Sequence, residues 1–347
     1  MHVRGRFKRA LAVAAGLALV GCTSGSGGGA ARPTASSSAR YGGSDVLWPL
    51  GTRATPPPPA LGAAVTVERA PLTNGRVLQA GLTLPIVGGS SASPEVLTPC
   101  LQKVHLSGSG FTTIPPATNA EKVVVVDPGH GGVDHGATAP DRTRESVRNL
   151  QVAELVRDDL QGRVARVVMT RTTDRVVRLG FRTALADALR ASFAISIHFN
   201  ASPDGPSTSP GTTTFGSVAD PNGRRAAGVI FEAERAYLDT LTPLLGGSWA
   251  SYGDSGALYR LGSRGDYYFQ LRESHATWVI SEAMFISNKP EARLLARADV
   301  RAGLAGAIAE GVMRYLGSDA PGSGWRNPEP RGDPNAAPDP PCTEPYV

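Results

Sequence analysis

The hydrophobic pattern of this chain alternates between short, continuous apolar runs and longer stretches whose apolar residues recur every three or four positions. A continuous apolar run of four to eight residues is typical of a strand that is buried on both faces of a sheet. One such run lies at residues 123–126, and three mostly apolar runs lie at 164–169, 193–199 and 277–281. They predict four strands of one buried sheet.

Four other stretches carry an apolar stripe at helical spacing and therefore predict amphipathic helices. These stripes cover residues 147–160, 181–189, 226–237 and 300–315. We expect the last helix to end at Gly317, because glycine is common where helices terminate. Since strands and helices alternate from residue 120 to 317, the pattern predicts an α/β domain over 120–317, with a single mixed, mainly parallel sheet flanked by helices.

A different pattern precedes this domain. Residues 61–119 contain short apolar runs at 64–67, 77–79 and 82–87, separated by Gly, Ser, Asn and Pro. This spacing favours a small β-rich accessory segment over helices. The sequence leaves open whether the segment is a small domain, an extension packed on the main domain, or a partly ordered linker.

The two ends of the chain lack the pattern of a folded core. Basic residues followed by an apolar run at 11–20 predict a signal peptide over residues 1–21, and the run is short for a membrane-spanning helix. Residues 22–60 are rich in Gly, Ser, Thr and Pro and predict a flexible linker. We expect the Pro-rich tail over 318–347 to be disordered for the same reason.

The sequence Leu19-Val20-Gly21-Cys22 resembles a bacterial lipobox. The resemblance implies cleavage before Cys22 and lipidation of that cysteine, and an ordinary signal peptide with a chance cysteine is the alternative. Lipid chains partition into a bilayer at about 0.8 kcal/mol per methylene, so they would tether the protein. We therefore expect an exported lipoprotein at the outer face of the cytoplasmic membrane or elsewhere in the cell envelope.

Composition adds two constraints. The 347 residues carry a formal net charge of +5, but part of the positive charge lies in the expected signal peptide and no nucleic-acid-binding motif is present. We therefore predict no nucleic-acid partner, and a basic surface suits an anionic cell wall. Cys100 and Cys342 could form a disulfide in an exported protein, but the sequence does not decide this.

Polar residues with catalytic chemistry stand at the ends of the predicted elements. His130 follows the valine run, Glu145 precedes the first helix, and His198 and Glu282 lie at the ends of two later strands. Ligands bind at the carboxyl ends of strands in open α/β sheets. Two imidazoles and a carboxylate are a known ligand set for catalytic zinc, and a second glutamate is suited to act as a general base. His135 is an alternative ligand, because it lies close to His130 in the sequence.

Four motifs give these residues a family resemblance. In chain order they are Asp127-Pro128-Gly129-His130-Gly131-Gly132 with Asp134 and Gly136, Glu145-x-x-x-Asn149-Leu150, Ser196-Ile197-His198-Phe199-Asn200-Ala201, and Glu282-x-x-Phe285-x-Ser287-Asn288. Over about residues 122–316 the chain resembles the zinc-dependent N-acetylmuramoyl-L-alanine amidases of the amidase 3 family.

The resemblance implies a peptidoglycan hydrolase that cleaves the amide bond between N-acetylmuramic acid and the L-alanine of the stem peptide. It assigns His130, Glu145 and His198 as ligands of Zn²⁺ and Glu282 as the catalytic carboxylate. Asn200 is a candidate substrate contact, because it follows a predicted ligand on the same strand. We expect a monomer whose partners are peptidoglycan and, through the lipid anchor, the membrane.

Two positions depart from the family pattern. Met284 stands where the family usually has glycine, and Phe199 stands where a small residue is common. A bulky Met284 could narrow the cleft or displace Glu282. The alternative function is therefore a catalytically weak, wall-binding or regulatory lipoprotein that retains the amidase fold.

Overall fold

A computed structural model of the protein describes residues 62–202, 211–245, 256–330 and 339–347. The expected signal peptide, the lipidated Cys22 and the linker lie outside these residues. Within the described ranges, no helix combines the length and the apolar character needed to cross a membrane.

The described residues form a series of short strands, then an alternation of strands and helices. In chain order the elements are β1 (Ala64–Val67), β2 (Ala70–Pro71), β3 (Val77–Leu78), β4 (Leu82–Gly89), β5 (Pro94–Leu97), β6 (Lys103–His105), β7 (Phe111–Ile114), β8 (Val123–Pro128), α1 (Glu145–Leu160), β9 (Arg166–Met169), α2 (Leu179–Ala188), β10 (Phe193–Asn200), β11 (Thr213–Phe215), α3 (Pro221–Leu245), β12 (Gly256–Leu258), β13 (Arg260–Gly262), β14 (Gly265–Asp266), α4 (Phe269–Glu273), β15 (Trp278–Phe285), α5 (Lys289–Leu295), α6 (Ala298–Gly317) and β16 (Glu329–Pro330).

The central sheet has six strands in the order β12-β11-β15-β10-β8-β9. Strands β15, β10, β8 and β9 are parallel to one another, whereas β11 runs antiparallel to β15 and parallel to β12. The predicted α/β fold with a mixed sheet and flanking helices is therefore confirmed. Strands β8, β10 and β15 lie side by side, so their carboxyl ends meet at one edge of the sheet.

The valine run of β8 is apolar throughout because both faces of the sheet are covered. Val124 and Val126 pack in a core with α1, α3 and α6, whereas Val123 and Val125 pack in a second core with α2. All four side chains are fully buried. Successive side chains of a strand point to opposite faces, so each face receives two of the valines.

The β-rich segment packs on the main domain. Its sheet has the order β6-β5-β4-β1-β7, with the neighbouring strands antiparallel. Leu84 of β4 and Val96 of β5 are fully buried in the same core as Phe181 and Leu185 of α2. Of the three arrangements that the sequence left open, the structure therefore has an extension that shares a core with the α/β domain.

In its described residues, 318–330 and 339–347, the carboxyl-terminal tail differs from the disorder predicted for it. A disulfide joins Cys342 to Cys100. The Gln79 backbone N–H donates to the Pro345 carbonyl at 2.9 Å, and the Val347 N–H donates to the Val77 carbonyl at 2.9 Å. Composition predicted disorder because it reports only on local propensity, and this segment is held by a covalent bond to a residue 242 positions away.

Element boundaries differ from the sequence prediction in one place that affects the candidate site. Strand β15 was predicted to stop at residue 281, but it continues to Phe285. Glu282 therefore lies within the strand, beside β10, and not in a following loop. This position fixes its backbone through the sheet hydrogen bonds.

Candidate metal centre

The loop after β8 holds His130 in a strained conformation. The backbone φ of His130 is +58°, in the left-handed region that residues with a Cβ rarely adopt. Two buried arginines hold the loop: Arg182 donates to the His130 carbonyl at 3.0 Å, and Arg171 donates to the Gly129 carbonyl at 2.8 Å. These hydrogen bonds hold the His130 backbone in its strained conformation, and that conformation sets the direction of the imidazole.

Asp127 balances the charge of the arginines beneath this loop. Its buried carboxylate pairs with Arg182 and accepts hydrogen bonds from the hydroxyls of Ser196 at 2.6 Å and Thr170 at 2.5 Å. Burial alone would raise the pKa of Asp127, but Arg182 and the two hydroxyls outweigh it and hold the pKa below its usual value. The sequence analysis did not single out Asp127 or Arg171, although Asp127 opens the first motif.

Three predicted ligands meet at the carboxyl edge of the sheet. His130, Glu145 and His198 are all buried, and one donor atom from each lies within 4.8 Å of the other two. Glu145 Oε1 is 3.3 Å from His130 Nε2 and 3.2 Å from His198 Nδ1. The Ala137 N–H also donates to Glu145 Oε2 at 2.8 Å, which fixes the carboxylate at the start of α1.

Asp134 orients the first imidazole. Its Oδ1 atom lies 2.7 Å from His130 Nδ1, so His130 Nε2 faces Glu145. A carboxylate on the second ring nitrogen is the usual support of a metal-binding histidine, because it fixes the tautomer and the ring orientation. Asp134 could be recognised from the sequence only as part of the first motif.

Two glycines leave space around the three donors. A Cβ at Gly129 would overlap the imidazole of His198, and a Cβ at Gly136 would lie 2.5 Å from Glu145 Oε2 and 2.8 Å from His130 Nε2. Two imidazoles and a carboxylate with open space beside them fit a zinc ion that keeps a further coordination position. Within the described residues, the group that could hold a metal does not include His135.

Charges within the cluster shift the pKa values of its members. Burial would lower the pKa of His130, but the carboxylates of Glu145 and Asp134 outweigh it and raise the pKa above its usual value. Burial opposes the charge of Glu145 as well, yet the two imidazoles lower its pKa. Burial lowers the pKa of His198. The carboxylates of Glu145 and Asp134 thus favour positive charge at the position of His130.

Glu282 lies next to this cluster. Strands β10 and β15 pair His198 directly with Glu282, so the two side chains emerge side by side on one face of the sheet. Burial, and secondarily the negative charge of Glu145, raise the pKa of Glu282 well above its usual value. Its Oε2 atom is buried and accepts no hydrogen bond from the residues that the structure describes.

Met284 lies away from the cluster. The register of β10 and β15 shifts after His198, so that Asn200 pairs with Phe285 and β15 contains one extra residue. Met284 is fully buried in the core beneath α1, α3 and α6. The expectation that Met284 narrows the cleft is therefore wrong, because the extra residue places its side chain on the opposite face of the sheet.

Asn200, the predicted substrate contact, is buried at the end of β10. Its Oδ1 accepts a hydrogen bond from the Ala201 N–H at 2.9 Å. Its Nδ2 has no hydrogen-bond partner within the described part of the chain. A buried amide donor without a hydrogen-bond partner costs free energy, so Nδ2 is suited to donate a hydrogen bond to a ligand.

A cleft opens over the imidazoles. Its walls include His130, His198, Arg178 and Tyr268. Asp339 and Pro340 of the carboxyl-terminal tail also line it. The tail was not predicted to lie here, because no local signal in the sequence links it to the cleft.

Fold and site together define an α/β protein with a candidate catalytic metal centre at the carboxyl ends of its central strands. The sequence model of the family described as N-acetylmuramoyl-L-alanine amidase matches residues 124–314, more than half of the chain. The chain belongs to this amidase family, and the predicted family membership is confirmed.

Individual relatives agree with this membership. The uncharacterized protein YqiI of Bacillus subtilis is 31% identical over 220 residues, which cover 62% of this chain and 96% of the relative. The N-acetylmuramoyl-L-alanine amidase AmiC of Neisseria meningitidis is 30% identical over 220 residues, covering 56% of this chain and 52% of AmiC. The chain thus spans about half the length of AmiC.

A solved structure shows the same fold. Cwp6 from Clostridium difficile superposes with a TM-score of 0.50 at 29% sequence identity, over 57% of this chain and 30% of Cwp6.

Proposed function

We propose that this protein is a zinc-dependent amidase that cleaves the bond between N-acetylmuramic acid and the L-alanine of the peptidoglycan stem peptide. The observation that carries the proposal is the convergence of His130, Glu145 and His198, with donor atoms within 4.8 Å of one another, beside the buried Glu282. Family membership supports the substrate class.

In this proposal His130, Glu145 and His198 hold the zinc, and Asp134 keeps the His130 ring in place. When bound, zinc would supply Lewis acidity, which lowers the pKa of water toward about 7 and polarises a carbonyl group. Glu282 accepts the proton of the attacking water on Oε2 and donates it to the nitrogen of the leaving L-alanine. The free Oε2 and the raised pKa of Glu282 support this role, because a shuttling carboxyl must both accept and release a proton.

Asn200 is proposed to donate a hydrogen bond from Nδ2 to the substrate, since that atom has no partner among the described residues. The wall-binding alternative relied on Met284, and the burial of this side chain in the core leaves it without that support.

The location is proposed from the sequence. We infer an exported lipoprotein, lipidated at Cys22 and acting as a monomer on the cell wall. Fractionation of cells tests the anchor: the protein should be found with the membrane, and a Cys22→Ala variant should leave it. An unchanged distribution of the variant would exclude lipidation at this residue.

Digestion of purified peptidoglycan tests the reaction. The zinc-loaded protein should release stem peptides with a free amino-terminal alanine, identified by mass spectrometry, and Glu282→Gln should not. Peptidoglycan that sediments with the protein but stays intact would contradict the amidase and favour a binding role.

A further inference from the structure

The carboxyl-terminal tail brings a carboxylate to an arginine in the cleft. Arg178 and Asp339 both line the cleft that contains His130 and His198, and their side chains form an ion pair. The Arg178 guanidinium also lies 3.5 Å from the Pro340 carbonyl. Arg178 is therefore a cationic group of the cleft whose partner comes from the end of the chain.

Arg178 is close to the candidate metal centre. It caps the start of α2, one helical turn before Arg182. Arg182 itself contacts the His130 carbonyl at 3.0 Å. A ligand held by Arg178 would thus lie in the same cleft as His130.

The two arginines of the cleft differ in what they can offer a ligand. Arg182 pairs with the buried Asp127 and donates to the carbonyls of Val177, Pro128 and His130. Arg178 instead contacts Asp339, whose side chain is 60% exposed. Ion pairs with an exposed partner are weak, so a carboxylate that enters the cleft can replace Asp339.

The disulfide holds Asp339 in position to act as this occupant. Asp339 is three residues from Cys342, a span of about 10 Å at most. Cys342 is bonded to Cys100, and the Arg178 N–H donates to the carbonyl of Pro99, the neighbour of Cys100, at 3.0 Å. Pro99 and Cys100 thus contact Arg178 and anchor the tail, which keeps a high local concentration of the Asp339 carboxylate at the guanidinium.

We propose that Arg178 is a binding site for a carboxylate of the substrate peptide and that Asp339 occupies this site until the substrate displaces it. This inference rests on the proposed function, because it takes the ligand to be a muramoyl peptide. Two parallel N–H donors of a guanidinium match the two oxygens of a carboxylate, which gives the site its selectivity for that group.

Calorimetric titration tests the site with N-acetylmuramoyl-L-alanyl-D-glutamate, which has two free carboxylates, and with its diamide. The full chain carries Glu282→Gln in every sample, so that the ligand is not consumed. Arg178→Gln should weaken binding of the free acid about tenfold, since a charged hydrogen bond is lost. Asp339→Asn should tighten it about two- to fivefold, because a weak competing ion pair is removed.

Asp319→Asn is the matched control, because it removes the same charge from an exposed residue of the tail that does not line the cleft. It should bind both ligands like the parent chain, and binding of the diamide should be the same in all variants. Equal affinity of the parent and Arg178→Gln for the free acid, or no gain from Asp339→Asn, would overturn the site.

Peptidoglycan digestion with the chain that retains Glu282 separates this inference from the proposed reaction. If the chain digests peptidoglycan, but Arg178→Gln and its parent bind the free acid equally in the titration, then only the Arg178 site is overturned. The expected binding differences without digestion support the site and overturn the proposed reaction.

Discussion

At the scale of single residues, Glu282 is defined by its neighbours. It is buried, it pairs with His198 across two parallel strands, and the negative charge of Glu145 opposes its ionisation. A cation held by the three candidate ligands would reverse that local charge and favour the carboxylate. Glu282 is therefore placed to change its protonation state when the centre is loaded.

Replacing Glu282 by Gln should reduce the rate of amide hydrolysis by about 10²- to 10⁴-fold, the usual contribution of a general acid–base group. The zinc content, measured by mass spectrometry of the metal, should stay the same because Glu282 is not among the three donors. Glu310→Gln on the exposed face of α6 is the control and should keep full activity. A Glu282→Gln enzyme of normal rate would contradict the role assigned to this side chain.

A second buried glutamate, Glu234, affects the pH dependence of stability. Glu234 of α3 is fully buried and accepts a hydrogen bond from the Ser281 hydroxyl at 2.5 Å. Burial raises the pKa of Glu234 to about 8, although the hydroxyls of Ser281 and Thr212 oppose the shift. In the folded protein the Glu234 carboxyl is thus mostly protonated at neutral pH.

The free energy of unfolding should therefore decrease as the pH rises from about 4.5 to about 8, because over this window the unfolded chain ionises Glu234 and the folded protein does not. Glu234→Gln should remove this part of the pH dependence. Denaturant titrations of both proteins at pH 5.5, 6.5 and 7.5 measure it. Parallel pH profiles of the two proteins would show that Glu234 ionises normally in the folded state.

At the scale of elements, the candidate centre depends on where strands end. The sequence predicted β8, β10 and β15 because strands buried on both faces are mostly apolar. His130, His198 and Glu282 could be identified as candidates because they stand where these apolar runs end. The extra residue in β15 could not be predicted, because a register shift depends on the partner strand. This shift determines the face of the sheet on which the Met284 side chain lies.

The loop between β8 and α1 offers a steric test. Gly129→Ala should reduce zinc binding, because the added Cβ would overlap the imidazole of His198. The backbone of Gly129 does not have a positive φ, so the substitution adds a methyl group without added backbone strain. Zinc content and circular dichroism should show a folded protein with less metal.

Gly306→Ala in α6 is the matched control for Gly129→Ala. The nearest atom to its added Cβ, Asp159 Oδ2, is 3.7 Å away, and alanine favours a helix by about 1 kcal/mol over glycine. Gly306→Ala should therefore keep its zinc and be at least as stable as the parent. Normal zinc binding by Gly129→Ala would contradict the proposed position of the metal.

At the scale of the whole molecule, a covalent bond joins the two parts of the chain that composition made hardest to predict. The disulfide between Cys100 and Cys342 connects the β-rich segment to the tail across 242 residues. Sequence patterns report on local propensity and local burial, so neither the docking of the segment on α2 nor the course of the tail could be derived from them. The α/β domain between them could be predicted, because the apolar patterns of its strands and helices are local.

Replacing both Cys100 and Cys342 by serine should lower the free energy of unfolding by about 2–4 kcal/mol, as for other disulfides that close long loops. Denaturant titration of the oxidised protein, the reduced protein and the double variant measures this. The reduced protein and the double variant should agree. An equal stability of all three would mean that the bond does not form in solution.

The central claim is that His130, Glu145 and His198 bind one metal ion beside Glu282. Crystals of the zinc-loaded protein, measured with X-rays on either side of the zinc absorption edge, test this most directly. One anomalous peak should lie within about 2.3 Å of a donor atom from each of the three residues. A peak held by other side chains, or none at this edge of the sheet, would contradict the account.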